Sequence, residues 1–114
     1  MDCKRKYDRF CCQGSAELTD DAHGRVWGHL GDISLGGFYL STFGPWAVNR
    51  EVRFKLDVEG REIFGVGVVA TSHPGVGMAV TIQELSGPYR DALQEVIREL
   101  RTSNDTSVVV GLLV

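Results

Sequence analysis

The chain has 114 residues, a net charge of -3 at neutral pH and a pI near 5.5. Its length is typical of one domain that can bury a core without disulfides or a structural metal. The negative balance argues against the broad basic face with which proteins bind nucleic acid or anionic membranes, so any anion bound here should be small and locally held.

No segment of the sequence is typical of a signal peptide or a membrane span. The N-terminal MDCKRKYDRF lacks an apolar core, and the longest apolar run, VVVGLLV at residues 108–114, is far shorter than the roughly 20 residues that cross a bilayer. Cys3, Cys11 and Cys12 make an odd count, so reduced thiols are expected rather than disulfides. The sequence therefore predicts a soluble cytoplasmic protein with no membrane insertion and no DNA binding.

Short segments in which apolar and polar side chains alternate make up most of the chain and predict β-strands. Residues 50–58 alternate most clearly, and Glu59-Gly60 then turns the chain into residues 61–72, so a hairpin is predicted there. In the first segment every second residue from Phe10 to Leu18 is apolar or small and should face inward. The predicted strands span residues 10–18, 25–33, 37–42, 50–58, 61–72 and 76–83.

The spacing of apolar residues changes to that of an amphipathic helix after Pro88, a residue suited to the first helical turn. No linker or internal repeat divides the chain. Six short antiparallel strands followed by one helix predict a mainly β fold, either a small closed barrel or a tight sandwich, with the helix packed on an opening or a flank. The apolar stripe of the helix comprises Tyr89, Leu93, Val96, Ile97 and Leu100.

Two polar segments have complementary chemistry. The first, KRKYDRF at residues 4–10, places four cationic side chains just before the first strand, although a basic run near a terminus is commonly solvated. The second, GDISLGG at residues 31–37, offers the Asp32 carboxylate, the Ser34 hydroxyl and bare backbone at Gly36-Gly37. A guanidinium can take the O6 and N7 acceptors of guanine as a pair, and a carboxylate can accept from its N1 and N2 hydrogens. Together the segments favour a site for guanine and phosphate.

The two segments resemble the signature motifs of the PilZ domain, a bacterial receptor module for the second messenger cyclic di-GMP. R-x-x-x-R stands before the first strand, and D-x-S-x-x-G follows the second. The resemblance covers residues 4–101 and implies a six-stranded antiparallel β-barrel with a C-terminal α-helix, no enzymatic activity and no cofactor besides the ligand. It implies that the arginines bind guanine edges and phosphates, that the aspartate and serine bind guanine, and that the glycine shapes the loop. The implied ligand-binding residues are Arg5, Arg9, Asp32, Ser34 and Gly37, with Lys4 and Gly36 as further candidates.

The resemblance divides the chain into an N-terminal ligand-binding arm (residues 1–9), a barrel with its helix (residues 10–101) and a C-terminal tail (residues 102–114). The basic run of the arm begins at Lys4, close to Met1, so the ordering of the arm by ligand is expected to signal to a separate protein of motility, pilus function, polysaccharide synthesis or regulation. Many family members have arginine where this chain has Lys4, which leaves the number of bound ligand molecules open. The β-prone apolar tail is expected to add a strand, dock on the barrel or form a homodimer contact.

A different class of function also fits the sequence. A PilZ-like interaction adaptor would bind no nucleotide, and its Asp32 and Ser34 would make only the hydrogen bonds of a turn. An aromatic residue could either stack on a bound base or pack in the barrel, so each one is assigned an expected place. Trp27 and Trp46 are expected to pack in the core or at the barrel rim, and Tyr7 is a candidate to cover a bound base.

Two further patterns do not meet the requirements of a site. GVGVVA at residues 65–70 matches a loose dinucleotide-binding fingerprint, but no helix follows it to hold a phosphate. The three cysteines and three histidines include no C-x-x-C pair and no H-E-x-x-H helix, and alternation places Cys11 and Cys12 on opposite faces of one strand. The sequence therefore predicts neither a metal site nor a catalytic thiol.

Overall fold

The computed structural model describes residues 7–22 and 24–113, with side chains as far as Thr102. Along this part of the chain, seven antiparallel strands precede one helix. The elements are β1 (Phe10–Cys11), β2 (Gly14–Asp20), β3 (Gly24–Ile33), β4 (Gly37–Ser41), β5 (Glu51–Val58), β6 (Arg61–His73), β7 (Gly77–Glu84) and α1 (Gly87–Leu113).

Six of the strands close into a barrel. They are neighbours in the order β3, β2, β5, β6, β7 and β4, and β4 pairs again with β3. The two-residue strand β1 adds to the end of β3, with Phe10 opposite Ile33. Closure leaves the six strands without an unpaired edge along the sheet. The predicted six-stranded antiparallel barrel with a C-terminal helix is confirmed.

The hairpin between β5 and β6 shows how local sequence fixes strand register. Val58 lies opposite Arg61, so only Glu59 and Gly60 form the turn, and their φ angles are 52° and 75°. Positive φ at both central residues is the geometry of the two-residue turn that matches strand twist. The predicted hairpin is therefore present, and its register directs Val52, Phe54 and Leu56 into the core.

The core fills the barrel and extends beneath the helix. Phe38 and Phe54 meet inside it edge to face, with ring centroids 5.2 Å apart. Ala16 and Leu18 of β2 are buried, while Phe10 packs at the margin, so the inward face predicted for the first segment is confirmed. The buried apolar residues are Ala16, Leu18, Leu30, Ile33, Phe38, Leu40, Val52, Phe54, Leu56, Val58, Ile63, Val69, Met78, Val80, Leu93, Val96, Ile97 and Leu100.

The helix packs on the barrel through its predicted apolar stripe, of which all but the half-buried Tyr89 is buried. Polar contacts at the margin fix its position. Arg61 of β6 donates to both carboxylate oxygens of Glu99, at 3.0 and 3.2 Å. The guanidinium of Arg101 lies 5.4 Å from the centroid of the Phe10 ring. The helix is thereby joined both to β6 and to the strand that follows the arm.

The structure differs from the predicted strands and tail in three places. The predicted strand 10–18 is broken, because pairing with β3 shifts by one residue between β1 and β2. Val76, placed at the start of the last predicted strand, lies before β7 and is 60% exposed, because it belongs to the turn in which its amide donates to the carbonyl of His73.

The third difference concerns the tail, where a strand was one of the predicted outcomes. Residues 102–113 continue helix α1, so the prediction of an added strand is wrong. The segment contains no proline, and extending an existing helix requires no new nucleation, which favours continuation. Docking on the barrel and a homodimer contact concern side chains beyond Thr102, which lie outside the described ones.

Candidate functional site

The loop between β3 and β4 is organised by the Ser34 hydroxyl. Oγ accepts hydrogen bonds from the amides of Gly36 and Gly37, both at 3.1 Å, and donates to the Gly37 carbonyl at 3.2 Å. The Ser34 amide donates to the same carbonyl at 2.8 Å. A hydroxyl has one hydrogen and two lone pairs, so these contacts use its whole capacity. Ser34, only 8% exposed, shapes the loop from within.

Replacing Ser34 with alanine is expected to lower the free energy of unfolding by about 1–3 kcal/mol, because two loop amides lose their acceptor in a buried place. Chemical denaturation measures this loss. Ser41→Ala is the matched control, since Ser41 is an exposed serine on the adjoining strand. Equal stabilities of the two variants would contradict the organising role of Ser34.

The two glycines of the loop are required by close contacts. A Cβ on Gly37 would collide with the backbone carbonyl of Val80 in β7, and a Cβ on Gly36 would lie 2.6 Å from Cδ2 of Tyr7. The Gly36 carbonyl also accepts a hydrogen bond of 2.9 Å from the amide of Ile82. Neither glycine has a positive φ. Their role is to let β7 and the Tyr7 ring approach the loop, rather than to supply a left-handed turn.

Asp32 lies at an irregularity in the barrel. The pairing of β3 with β4 shifts between Leu30 and Asp32, so that Asp32 stands opposite Tyr39. On its other side Asp32 pairs with Cys11 of β1. Its half-buried carboxylate is one of the charges near the Cys12 thiol. The shift places the aspartate at the point where β1, β3 and β4 meet.

These residues border one concave surface on the outside of the barrel, here called the outer groove. It encloses about 550 Å³, within the range of small-molecule sites. Arg9 comes from the segment before β1, Asp32 from the end of β3, and the Ser34–Gly37 loop from between β3 and β4. The groove is lined by Tyr7, Arg9, Asp32, Ser34, Gly36, Gly37, Phe38, Tyr39, Ala70, Thr71, His73, Ala79, Val80 and Thr81.

The structure thus brings together five of the candidate residues of the two motifs. Arg5 and Lys4 lie outside the described residues. Sequence reasoning missed the part of the groove formed by β4, β6 and β7, including Tyr39 and His73. The alternation of these strands indicates which side chains point outward, but only the strand order shows which outward faces are neighbours.

Tyr7 lies between the outer groove and a second hollow beside the helix. Its ring, 40% exposed, packs on Gly36. It also lines a second hollow of about 430 Å³ that reaches Arg90 and Leu93 of the helix. The segment before β1 therefore contacts both the loop of the groove and the surface beside α1.

The next features concern thiol chemistry, metal ligands and membrane-spanning helices in the described part of the chain. Burial, followed by the negative charge of Asp32, raises the pKa of the Cys12 thiol to about 11. Such a thiol is protonated at neutral pH and is a poor nucleophile. Among residues 7–22 and 24–113, no cluster of three or more His, Cys, Asp or Glu side chains is arranged to hold a metal ion. Over the same residues, no helix combines the length and the apolar character needed to cross a membrane.

Comparison with known proteins identifies the family. The family model of the PilZ domain matches residues 4–99, which include both motifs and the whole barrel. The chain belongs to the PilZ domain family. The search of curated proteins found no match.

Solved structures share the PilZ fold at low sequence identity. The Bacillus subtilis inhibitor of motility, MotI/DgrA, is 21% identical with a TM-score of 0.69, over 90% of this chain and 52% of that one. Escherichia coli YcgR in complex with cyclic di-GMP is 14% identical with a TM-score of 0.77, over 94% of this chain and 50% of that one. The isolated PilZ domain of YcgR with cyclic di-GMP is 13% identical, with a TM-score of 0.75 and coverage of 93% and 98%. This chain spans about half the length of the first two.

Proposed function

We propose that this PilZ domain is a receptor for cyclic di-GMP and that the ligand binds in the outer groove. The observation that carries the proposal is the convergence of the two motifs: Arg9 precedes β1, Asp32 lies near the end of β3, and both line one concavity together with the glycine loop. A structural relative, YcgR, has been solved with cyclic di-GMP, which supports the choice of ligand.

The side chains of the groove match the ligand's chemistry. The Arg9 guanidinium, exposed at the border of the groove, can donate two hydrogen bonds to guanine O6 and N7 or to a phosphate. The Asp32 carboxylate can accept from guanine N1 and N2. Arg5 would add a second guanidinium and Lys4 a further positive charge. Ser34, Gly36 and Gly37 would hold the loop in the shape that the ligand meets.

We assign the chain to signalling and not to catalysis. The ligand would order the arm (residues 1–9), and the surface formed by arm and ligand would be recognised by a separate protein. Motility is the first class of partner to test, since one structural relative is an inhibitor of motility. Pilus function, polysaccharide synthesis and regulation are the others. A bacterial cytoplasmic location fits a second-messenger receptor, and a homodimer contact is one of the roles proposed for the tail (residues 102–114).

Isothermal titration calorimetry tests the receptor function. Wild-type protein is expected to bind cyclic di-GMP at least about tenfold more tightly than cyclic di-AMP, because adenine N1 is an acceptor and would face the Asp32 carboxylate without a hydrogen between them. Asp32→Ala should weaken cyclic di-GMP binding and reduce the preference. Asp57→Ala, which removes an exposed carboxylate from β5, should change neither.

Two outcomes would decide against the proposal. Equal affinity of the wild type for both dinucleotides would contradict the role of Asp32 in reading guanine. Absence of binding by folded wild-type protein would favour the interaction adaptor, in which the motif residues only shape the loop. The Ser34 hydroxyl would then have no role beyond its three hydrogen bonds within the loop.

A further inference from the structure

Two rings on the outer surface of the barrel meet in the outer groove, one just after the second motif and one far along the chain from both motifs. Tyr39 of β4 and His73 of β6 both line it. The Tyr39 hydroxyl lies 3.3 Å from Nδ1 of His73, within hydrogen-bond distance. Their ring centroids are 6.3 Å apart and their planes differ by 33°. The two rings therefore lie edge to edge with tilted planes, and together they are here called the aromatic platform.

The sheet beneath the platform explains the orientation of the Tyr39 ring. A Cβ on Gly77 would lie 2.7 Å from Cε2 and 3.1 Å from Cζ of Tyr39, so the tyrosine ring covers this glycine. Gly77 pairs with His73 across β6 and β7 and with Ser41 across β4 and β7. The Tyr39 ring thus crosses β7 towards β6 and lies along the sheet instead of standing away from it. A ring that rests on a glycine has its other face available to the groove.

The platform begins beside the motif residues, since Tyr39 stands opposite Asp32, and extends away from them to His73. Asp32 is on β3, whereas β4, β7 and β6 follow in that order around the barrel. At the usual spacing of about 4.8 Å between strands, the path along the curved sheet from β3 to β6 is roughly 14 Å. The groove therefore runs from a polar end, with Arg9 and Asp32, past Tyr39 to a second end at His73. A ligand with a base at each end of a phosphate ring would match both.

We infer that the Tyr39–His73 platform is the second recognition element of the groove and that one guanine of the bound dinucleotide stacks on it. This inference rests on the proposed function, since it names the part of the same site that holds the other base. Stacking on aromatic rings tolerates any purine and adds affinity without reading the base edge. The motif residues then select guanine, and the platform holds the opposite half of the ligand.

Calorimetric titration of cyclic di-GMP with four proteins tests the platform. His73→Ala is expected to raise Kd about 5-fold to 150-fold relative to wild type, the range of losses when one stacking ring is removed. His73→Phe, which keeps a ring but not the nitrogen atoms, should bind within about threefold of wild type if stacking is the main contribution. His29→Ala is the matched control, because His29 is an exposed histidine on β3 that does not line the groove.

Proton NMR gives a second, independent measurement on the same proteins. The ring protons of His73, assigned by their loss in His73→Ala, should shift upfield on addition of cyclic di-GMP because a purine lies over the ring, while those of His29 should not move. His73 is exposed, so the melting temperature of His73→Ala should equal that of wild type.

The outcomes separate the platform from the receptor function. One possible result is that wild type binds, Arg9→Ala loses binding and His73→Ala binds like wild type. In that case the stacking on the platform is wrong, and the proposed receptor function stands. Weak binding by both His73→Ala and His73→Phe would also overturn stacking, since it would assign the effect to the imidazole nitrogens. No binding by wild type would overturn both proposals.

Discussion

Arg9→Ala is expected to weaken cyclic di-GMP binding by about 30-fold to several thousand-fold, the equivalent of roughly 2–5 kcal/mol. The reason is that the variant removes charge-assisted hydrogen bonds to a ligand with two phosphates and leaves the ligand's acceptors unpaired in the groove. Arg5→Ala should have an effect of the same size. Calorimetric Kd values measured at one ionic strength provide the comparison.

Two further variants test whether the loss of binding depends on the guanidinium of Arg9. Arg25→Ala changes the net charge equally, but Arg25 belongs to β3 and pairs with Glu17 at 3.2 Å, so its loss should leave Kd nearly unchanged. Arg9→Lys keeps the charge and loses the planar fork, so its affinity should fall between those of wild type and Arg9→Ala. If Arg25→Ala weakened binding as much as Arg9→Ala, the effect of Arg9→Ala would be explained by general charge attraction and not by a specific contact.

The barrel could be predicted from the sequence because its strands have one face in the core. In β5 the apolar residues at every second position are all buried, and the following Glu59-Gly60 turn has the positive φ angles that its sequence suggests. Local alternation and local turn chemistry therefore determined most of the architecture. The break between β1 and β2 escaped prediction, because a one-residue shift in pairing does not change the alternation along the strand.

Prediction of the candidate site was more uneven. The two motifs are short and local, and the structure brings Arg9 and Asp32 to one groove. The position of Ser34 in the loop could be predicted, but the saturation of its hydroxyl by three loop contacts depends on the folded geometry. The platform residues, Tyr39 and His73, are 34 positions apart and meet only because β7 pairs with both of their strands.

The positions of the two tryptophans could not both be predicted from the sequence pattern. Trp46 packs against the core and its amide donates to Sδ of Met78 at 3.3 Å, as expected of a residue at the barrel rim. The same expectation is wrong for Trp27, which is 56% exposed on the outer face of β3, with an edge contact to His29 at 4.9 Å between centroids. Neither lines the outer groove. An aromatic residue in an alternating strand can face either way, and burial of the neighbours decides which.

Cyclic di-GMP is expected to produce strong new protection of arm amides against hydrogen exchange. Residues 2–9 contain four basic and two acidic side chains and little apolar surface, so nothing in their sequence offsets an ordering cost of about 1–2 kcal/mol per residue. Arg5 and Arg9 would gain phosphate and guanine partners, while Asp32 holds the ligand on the barrel. The Tyr7 ring already packs on Gly36, so the largest gain should fall on the amides that precede Tyr7.

Exchange measured by mass spectrometry on peptides that cover residues 2–10, with and without ligand, provides the test. Peptides from the β5–β6 hairpin serve as an internal reference that ligand should leave unchanged. Arg9→Ala at the same ligand concentration should show no gain in the arm, because binding is lost. An arm protected equally in both states would indicate a preformed site, and the signal to a partner would then have to come from the ligand surface itself, without a change in the arm.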